Sequence, residues 1–167
     1  MGRFKEIKEA KGPIMPVPST NFLKAVEITI AFEGGETVSE DPRDPGGLTK
    51  YGISKRAHPT LDIRHLSRAA ALAIYHAEYW EKINADSLPY NVALCAFDTA
   101  VNCGTAFALG CLKVTAGLPD NERALKIIEL RQQKYNNLVR KNLKLLAFTN
   151  GWTARLFSLM MKLVKEH

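Results

Sequence analysis

Apolar side chains recur every three to four residues along most of this chain, which predicts a mainly α-helical protein. The first such pattern contains Phe22, Val26 and Ile30 and follows Ser19 and Thr20. Either hydroxyl can accept a hydrogen bond from the first free N–H groups of a helix. We therefore expect the first helix to begin here and to bury the face that carries the three apolar residues.

The middle of the chain predicts three further helices. Ser67 can cap an alanine-rich helix that runs to about Trp80, which we expect in the core. Pro89 precedes a second apolar pattern that ends at Gly104, and a third ends near Gly117. Helices of this length that share apolar faces pack into one core.

The last third predicts a long helix and a final helix. Asp120 or Asn121 can begin the long helix, which we expect to reach residue 147, with Gly151 separating it from the last helix. Its basic residues predict a positively charged surface: Lys126, Arg131, Lys134, Arg140, Lys141 and Lys144. With the first four, this makes about six helices.

Residues 36–53 are the one region that predicts a β-hairpin. Thr37 and Val38 on one side, and Lys50 and Tyr51 on the other, flank a loop rich in glycine and proline. The loop residues cannot continue a helix. The fold class is therefore mainly α, with a small hairpin.

Glu33 is the residue most suggestive of chemistry. At about 100° per residue it projects within roughly 20° of Phe22 and Val26, so the acid shares the buried face of the first helix. A carboxyl in partly apolar surroundings can stay protonated near neutral pH and donate a proton. The alternative is a polar residue at a helix end, capped by Gly34 and Gly35.

The loop after Glu33 adds two carboxylates, Asp41 and Asp44, and the hydroxyl of Thr49. One acid in apolar surroundings opposite a carboxylate in a wetter loop is the arrangement by which glycosidases cleave a bond between sugars. The order of these residues therefore suggests a glycoside hydrolase.

Several segments resemble the bacteriophage and bacterial muramidases of glycoside hydrolase family 108. Those that carry the resemblance are Glu33-Gly34-Gly35, Asp44-Pro45-Gly46-Gly47-Leu48-Thr49, Gly52-Ile53-Ser54, Ala96-Phe97-Asp98-Thr99-Ala100-Val101-Asn102-Cys103-Gly104 and Gly151-Trp152-Thr153-Ala154-Arg155. The resemblance spans roughly residues 22–156. It implies a lysozyme-like fold and cleavage of the β-1,4 bond between N-acetylmuramic acid and N-acetylglucosamine.

The same resemblance implies roles for single residues. Glu33 would be the general acid, Asp44 the second carboxylate and Thr49 the residue that orients water. The loop is about two residues longer than is typical of the family, so Asp41 is a rival to Asp44. Glu36 stands where family members usually have an aromatic residue.

Further residues are candidate substrate contacts: Gly46 and Gly47 in the loop, Tyr51 beside it, and Asp98 with Asn102. Asp98 and Asn102 lie four residues apart on one face of an apolar helix. Buried polar groups need partners, so an internal hydrogen-bond network is the alternative to a position in the glycan groove.

Composition excludes several classes of function. The three cysteines and four histidines lack the paired spacing of a metal site, so we expect buried free thiols, no metal and no cofactor. The net charge of +6 favours anionic polymers. No nucleic-acid-binding motif accompanies the charge, and the family resemblance implies the peptidoglycan glycan strand as the partner.

A single domain is expected over residues 20–167, after a flexible tail at 1–19. The resemblance divides it into a catalytic segment, 20–87, and a helical segment similar to a peptidoglycan-binding region, 88–167. No signal peptide is recognisable and no segment predicts stable membrane insertion. We expect a monomer made in the cytoplasm that reaches the cell wall by release through holin-type pores, as phage endolysins do.

Two other functions are compatible with the sequence. A lytic transglycosylase could use Glu33 alone, as acid and then base, and would end its product in a 1,6-anhydro bond. A protein with the same fold but no activity could bind peptidoglycan or regulate secretion.

Overall fold

The computed structural model describes residues 18–40 and 47–165. The predicted tail is therefore almost entirely outside the described residues. Six α-helices and one small antiparallel sheet form the described part, which confirms the predicted fold class. The helices are α1 (Thr20–Phe32), α2 (Arg68–Tyr75), α3 (Tyr90–Cys103), α4 (Thr105–Val114), α5 (Asp120–Lys141) and α6 (Thr149–Lys165); the strands are β1 (Thr49–Lys50) and β2 (Ile53–Ser54).

Helix α1 begins where the sequence predicted. The side-chain oxygen of Ser19 accepts a hydrogen bond of 3.2 Å from the backbone N–H of Phe22. At the other end Glu33 is the cap residue, and the N–H of Gly35 donates to the carbonyl of Ile30 at 3.1 Å. Gly34 and Gly35 have φ of 88° and 62°, which a glycine adopts without strain.

Helix α2 also follows its predicted cap, since Ser67 accepts from the N–H of Ala70 at 3.1 Å. It continues as a π-helical turn, His76–Trp80. Trp80 is fully buried, as predicted, and its indole N–H donates to Asp86 at 2.9 Å. Short 3₁₀ turns, Glu81–Ile83 and Ala85–Ser87, lead from there to α3.

Helix α3 forms the centre of the core. Every residue from Val92 to Ala100 is buried, and α3 packs against α1, α4 and α5. An almost continuously apolar helix is typical of a position covered on all sides. The one charged group in this buried run is Asp98, which joins the candidate site.

The predicted boundary between the last two helices is wrong. Helix α5 ends at Lys141, and Asn142, with extended backbone angles of −149° and 99°, caps a 3₁₀ segment, Leu143–Phe148. The side chain of Asn142 accepts from the N–H of Lys144 at 3.1 Å. Gly151 lies inside α6 and does not separate the two helices.

The predicted hairpin is also displaced. The strands flank Tyr51 and Gly52 rather than the glycine-rich loop, and Thr49 additionally forms a single bridge to Ser39. Tyr51 and Gly52 have φ of 53° and 74°, the signs that a two-residue type I′ hairpin turn requires. Tyrosine is unusual there, which is why the sequence pattern missed the turn.

The cysteines are free, with Cys95 and Cys111 buried and Cys103 half-buried. Burial raises the pKa of the Cys111 thiol to about 11, which keeps it protonated and unreactive. Within residues 18–40 and 47–165, no helix combines the length and apolarity needed to cross a membrane.

Candidate active site

Glu33 lies at the end of α1 and pairs with an arginine from the far end of the chain. Its Oε1 accepts a hydrogen bond of 2.6 Å from Nη1 of Arg155, on α6. The Glu33 side chain is 25% exposed, whereas the Arg155 side chain is 9% exposed. Among the described residues, no donor reaches Oε2 of Glu33.

Arg155 is held in place by Asp98 of α3. Nε and Nη2 of Arg155 donate to the Asp98 carboxylate at 3.0 and 2.7 Å. Arg131 of α5 donates to the other side of the carboxylate at 2.5 Å, and Thr29 of α1 donates at 3.2 Å. Four helices therefore meet at one buried carboxylate, which fixes the arginine that contacts Glu33.

The charges in this cluster balance. Asp98 and Arg131 are fully buried, and Arg155 nearly so. Burial by itself would raise the pKa of the Asp98 carboxyl, but the hydrogen bonds and positive charges of Arg155 and Arg131 outweigh it and lower the pKa. Burial likewise opposes the charge of Arg155, yet Asp98 and then Glu33 raise its pKa. Two cations thus face two carboxylates.

Gly52 of the hairpin turn packs directly on the Glu33 side chain. A Cβ at Gly52 would lie 2.7 Å from the Cβ of Glu33 and 2.8 Å from the hydroxyl of Tyr75. That hydroxyl donates to the carbonyl of Tyr51 at 2.8 Å, which ties α2 to the turn. Only glycine permits this close approach at a φ of 74°.

Replacing Gly52 by alanine is expected to displace the Glu33 side chain, because the new methyl group would overlap it. We expect kcat/KM for glycan cleavage to fall about a hundredfold, the scale of a 1 Å misplacement in an active site. Gly117→Ala is the matched control, since Gly117 also has a positive φ, of 88°, but has no atom within 4 Å of the added Cβ. Equal activity of the two variants would contradict this assignment.

A small cavity of about 80 Å³ lies on one side of Glu33. Its wall includes Ser54, His58, Tyr75 and Tyr79. Burial, with the nearby negative charge of Glu33 as a further cause, raises the pKa of the Tyr75 hydroxyl, so Tyr75 stays neutral. The wall of this cavity therefore includes two aromatic side chains and no carboxylate other than Glu33.

A second, larger cavity of about 360 Å³ is lined in part by Arg155; we name it the α6 cavity. Its lining residues come from α1, α3 and α6: Phe32, Asn102, Gly151, Trp152, Ala154, Arg155 and Ser158. The Trp152 ring stacks on Tyr135 with centroids 4.5 Å apart. No carboxylate lines the α6 cavity.

The structure describes some of the predicted site residues and not others. Asp41, Asp44 and Gly46 lie outside the described residues. Thr49 is half-buried in β1, where its hydroxyl donates to the carbonyl of Gly47 at 3.2 Å.

The other predicted substrate contacts differ in exposure. Tyr51 is only 4% exposed, so its ring presents no open face for a sugar. Asp98 is completely buried and both of its oxygens are occupied, as the internal-network interpretation requires. Asn102 is exposed and lines the α6 cavity.

Arg155, Arg131 and Gly52 were not predicted as site residues. Arg131 was assigned to a basic surface, which is wrong, because its side chain is completely buried. The signal was present: Arg131 follows Ile127 by four residues and precedes Tyr135 by four, so it shares the buried face of α5. Arg155 stood in a segment of the family resemblance, but its partner could not be read from one sequence.

Within residues 18–40 and 47–165, no group of three or more His, Cys, Asp or Glu side chains could hold a metal ion. The arrangement around Glu33 consists of one partly exposed acid, a fixed arginine and two cavities. Such an arrangement can donate a proton to a bound polymer.

Comparison with known proteins agrees with this arrangement. Residues 26–104 match the family model described as glycosyl hydrolase 108, which confirms the resemblance over a segment containing Glu33, the hairpin and Asn102. The solved structure of Brucella abortus SagA is similar, with 26% identity, a TM-score of 0.65 and coverage of 86% of this chain and 94% of that one. No curated protein matches the chain. The family match supports glycoside hydrolase activity of the lysozyme type, directed at peptidoglycan.

Proposed function

We propose that this protein is an N-acetylmuramidase, which hydrolyses the β-1,4 bond between N-acetylmuramic acid and N-acetylglucosamine in peptidoglycan. The observation that carries the proposal is the position of Glu33. Its carboxyl is partly exposed and lines the small cavity, and Arg155, which donates to its Oε1 at 2.6 Å, lines the α6 cavity. A glycan strand crossing from one cavity to the other would pass this carboxyl.

Glu33 would act as the general acid. The glycosidic oxygen must receive a proton as its bond to the sugar breaks, and we propose that it comes from Oε2 of Glu33, which accepts from no donor within residues 18–40 and 47–165. Arg155 contacts the other carboxyl oxygen, Oε1, at 2.6 Å. Asp98 holds Arg155 by its other nitrogens.

A second carboxylate would come from the loop that follows α1. Retaining and inverting glycosidases both use a pair of acids, and the sequence offers Asp44 and Asp41 between Ser39 and Thr49. The bridge between Ser39 and Thr49 joins the two ends of this loop, with N···O distances of 2.8 and 2.9 Å. Thr49, at the end of that bridge, would orient water beside the carboxylate.

Asp44→Asn is expected to reduce kcat at least about tenfold more than Asp41→Asn, a difference of about 1.4 kcal/mol in the barrier. Asp44 heads the segment that resembles the family's, and the amide removes the charge while keeping the shape. Initial rates on purified peptidoglycan compare the two variants. The reverse order would show that the lengthened loop has moved the catalytic position to Asp41.

The net charge of +6 supports this substrate, because the cell wall carries carboxylates and phosphates that attract a basic protein. Basic side chains on the exposed side of α5, including Arg140 and Lys141, would contribute to capture. We also propose that the protein acts as a monomer on the wall after holin-type release.

Incubation with purified, stem-bearing peptidoglycan tests the proposal. We expect soluble fragments to appear without any added metal ion or organic cofactor, and chelator to leave the rate unchanged. Peptidoglycan that remains insoluble with freshly folded protein would overturn the proposed function. A purified chitin suspension serves as the comparison polymer, since it lacks muramic acid.

A further inference from the structure

Asn102 presents hydrogen-bond donors to the α6 cavity in an orientation fixed by buried neighbours. Nε of Arg131 donates to the hydroxyl oxygen of Tyr135 at 2.6 Å. The Tyr135 hydroxyl therefore directs its own hydrogen to Asn102, 2.5 Å away, and the acceptor must be Oδ1. The amide nitrogen of Asn102 then has no acceptor among the described residues, and the exposed Asn102 lines the α6 cavity.

The other groups around the α6 cavity are mainly donors as well. Arg155 keeps N–H groups beyond those used by Asp98 and Glu33, since a guanidinium has five. The indole N–H of Trp152 has no hydrogen-bond partner among residues 18–40 and 47–165 and is not buried away from solvent. Ser158 adds a hydroxyl. With no carboxylate in the lining, the cavity is complementary to a group that accepts hydrogen bonds.

We propose that the α6 cavity binds the carbonyl-bearing substituent of an amino sugar next to the cleaved bond. This inference rests on the proposed function and names which part of the substrate the site recognises. Asn102 would donate to the carbonyl oxygen, and Phe32 and Ala154 would pack against the apolar atoms beside it. Two sources supply this chemistry in peptidoglycan: the acetamido group of either sugar, and the lactyl carbonyl of muramic acid.

The isosteric change Asn102→Asp tests the inference. It keeps the oxygen that accepts from Tyr135 and replaces the outward donor with a negatively charged oxygen, which repels a carbonyl. We expect Kd for glycan strands to rise at least about tenfold. Asn137→Asp is the matched control, because it adds the same charge at an exposed asparagine of α5 outside the α6 cavity.

Binding is measured by calorimetry with Glu33→Gln carried in every protein, so that hydrolysis does not interfere. Three ligands distinguish the sources: glycan strands freed of peptide, the same strands after de-N-acetylation, and a chitin oligosaccharide. If the acetamido group is bound, Asn102→Asp weakens binding of the chitin oligosaccharide and does not weaken binding of the de-N-acetylated strands. If the lactyl group is bound, Asn102→Asp weakens binding of both kinds of strand and leaves binding of the chitin oligosaccharide unchanged.

Equal binding of the Asn102→Asp and Asn137→Asp proteins to all three ligands would overturn the inference. That result is distinct from failure of the proposed function, which appears as wild-type protein that releases no fragments. Thermal unfolding accompanies each titration. If the Asn102→Asp protein has the same melting temperature as the Asn137→Asp control but binds the glycan more weakly, Asn102 acts in recognition rather than in folding.

Discussion

Glu33→Gln is expected to lower kcat on peptidoglycan at least about a hundredfold, the lower end of what general acid catalysis contributes. Glutamine keeps the size of the side chain but cannot give a proton to the glycosidic oxygen. The fold should survive, because Arg155 retains its hydrogen bonds to Asp98 at 2.7 and 3.0 Å. Initial rates of fragment release, together with a melting curve, measure both effects.

Glu27→Gln is the matched control for this change. Glu27 lies on the same helix, is exposed, and also pairs with an arginine, Arg68. Its substitution should leave the rate unchanged. Near-normal lysis by a folded Glu33→Gln protein would remove Glu33 from the mechanism.

Asp98→Ala is expected to destabilise the protein by about 3–5 kcal/mol, the cost of breaking a buried ion pair by removing one partner. Arg131 and Arg155 would be left as buried cations without the carboxylate that lies between them. Chemical denaturation measures the loss. Asp62→Ala is the control, because the pair of Asp62 with His65 is exposed and its removal should change stability little.

The same carboxylate makes stability depend on pH in a defined direction. Because Arg155 and Arg131 lower the pKa of Asp98 in the folded protein, its contribution is complete above the ordinary aspartate range. The stabilising contribution of Asp98 is lost as the pH falls from about 3.9, the pKa of an aspartate in an unfolded chain, toward the lower pKa of Asp98 in the folded protein. The free energy of unfolding of Asp98→Ala should therefore fall less on acidification than that of the wild type. An equal fall in both proteins would contradict the role given to Asp98 in the charge cluster.

The sequence predicted most of the helical fold because the signals were local. Ser19 and Ser67 cap the helices they were expected to cap, and Gly104 ends α3. The boundary at Asn142 was missed because an asparagine cap within an apolar and basic stretch is a weaker signal than the glycine at position 151. The hairpin turn was missed because Tyr51 adopts a positive φ that tyrosine rarely takes.

The candidate site could be predicted only in part, since its residues meet across long separations in the chain. Glu33 was identifiable from its helical face and from the glycines after it. Its contact with Arg155 joins residues 122 positions apart, and no spacing rule connects them. Asp98 showed by its place in an apolar run that it needed partners, but only the packing of α5 and α6 on α3 identifies them as Arg131 and Arg155.

The most direct test of hydrolysis by this site is digestion of purified peptidoglycan in water enriched in ¹⁸O, with immediate borohydride reduction and mass analysis of the fragments. A muramidase leaves fragments that end in reduced N-acetylmuramic acid and carry one ¹⁸O from the attacking water. We predict that product, and its absence when Glu33 is replaced by glutamine. Fragments that end in unlabelled 1,6-anhydro-muramic acid would contradict hydrolysis and identify a lytic transglycosylase. Wall material bound by the protein but never cleaved would contradict enzymatic activity altogether.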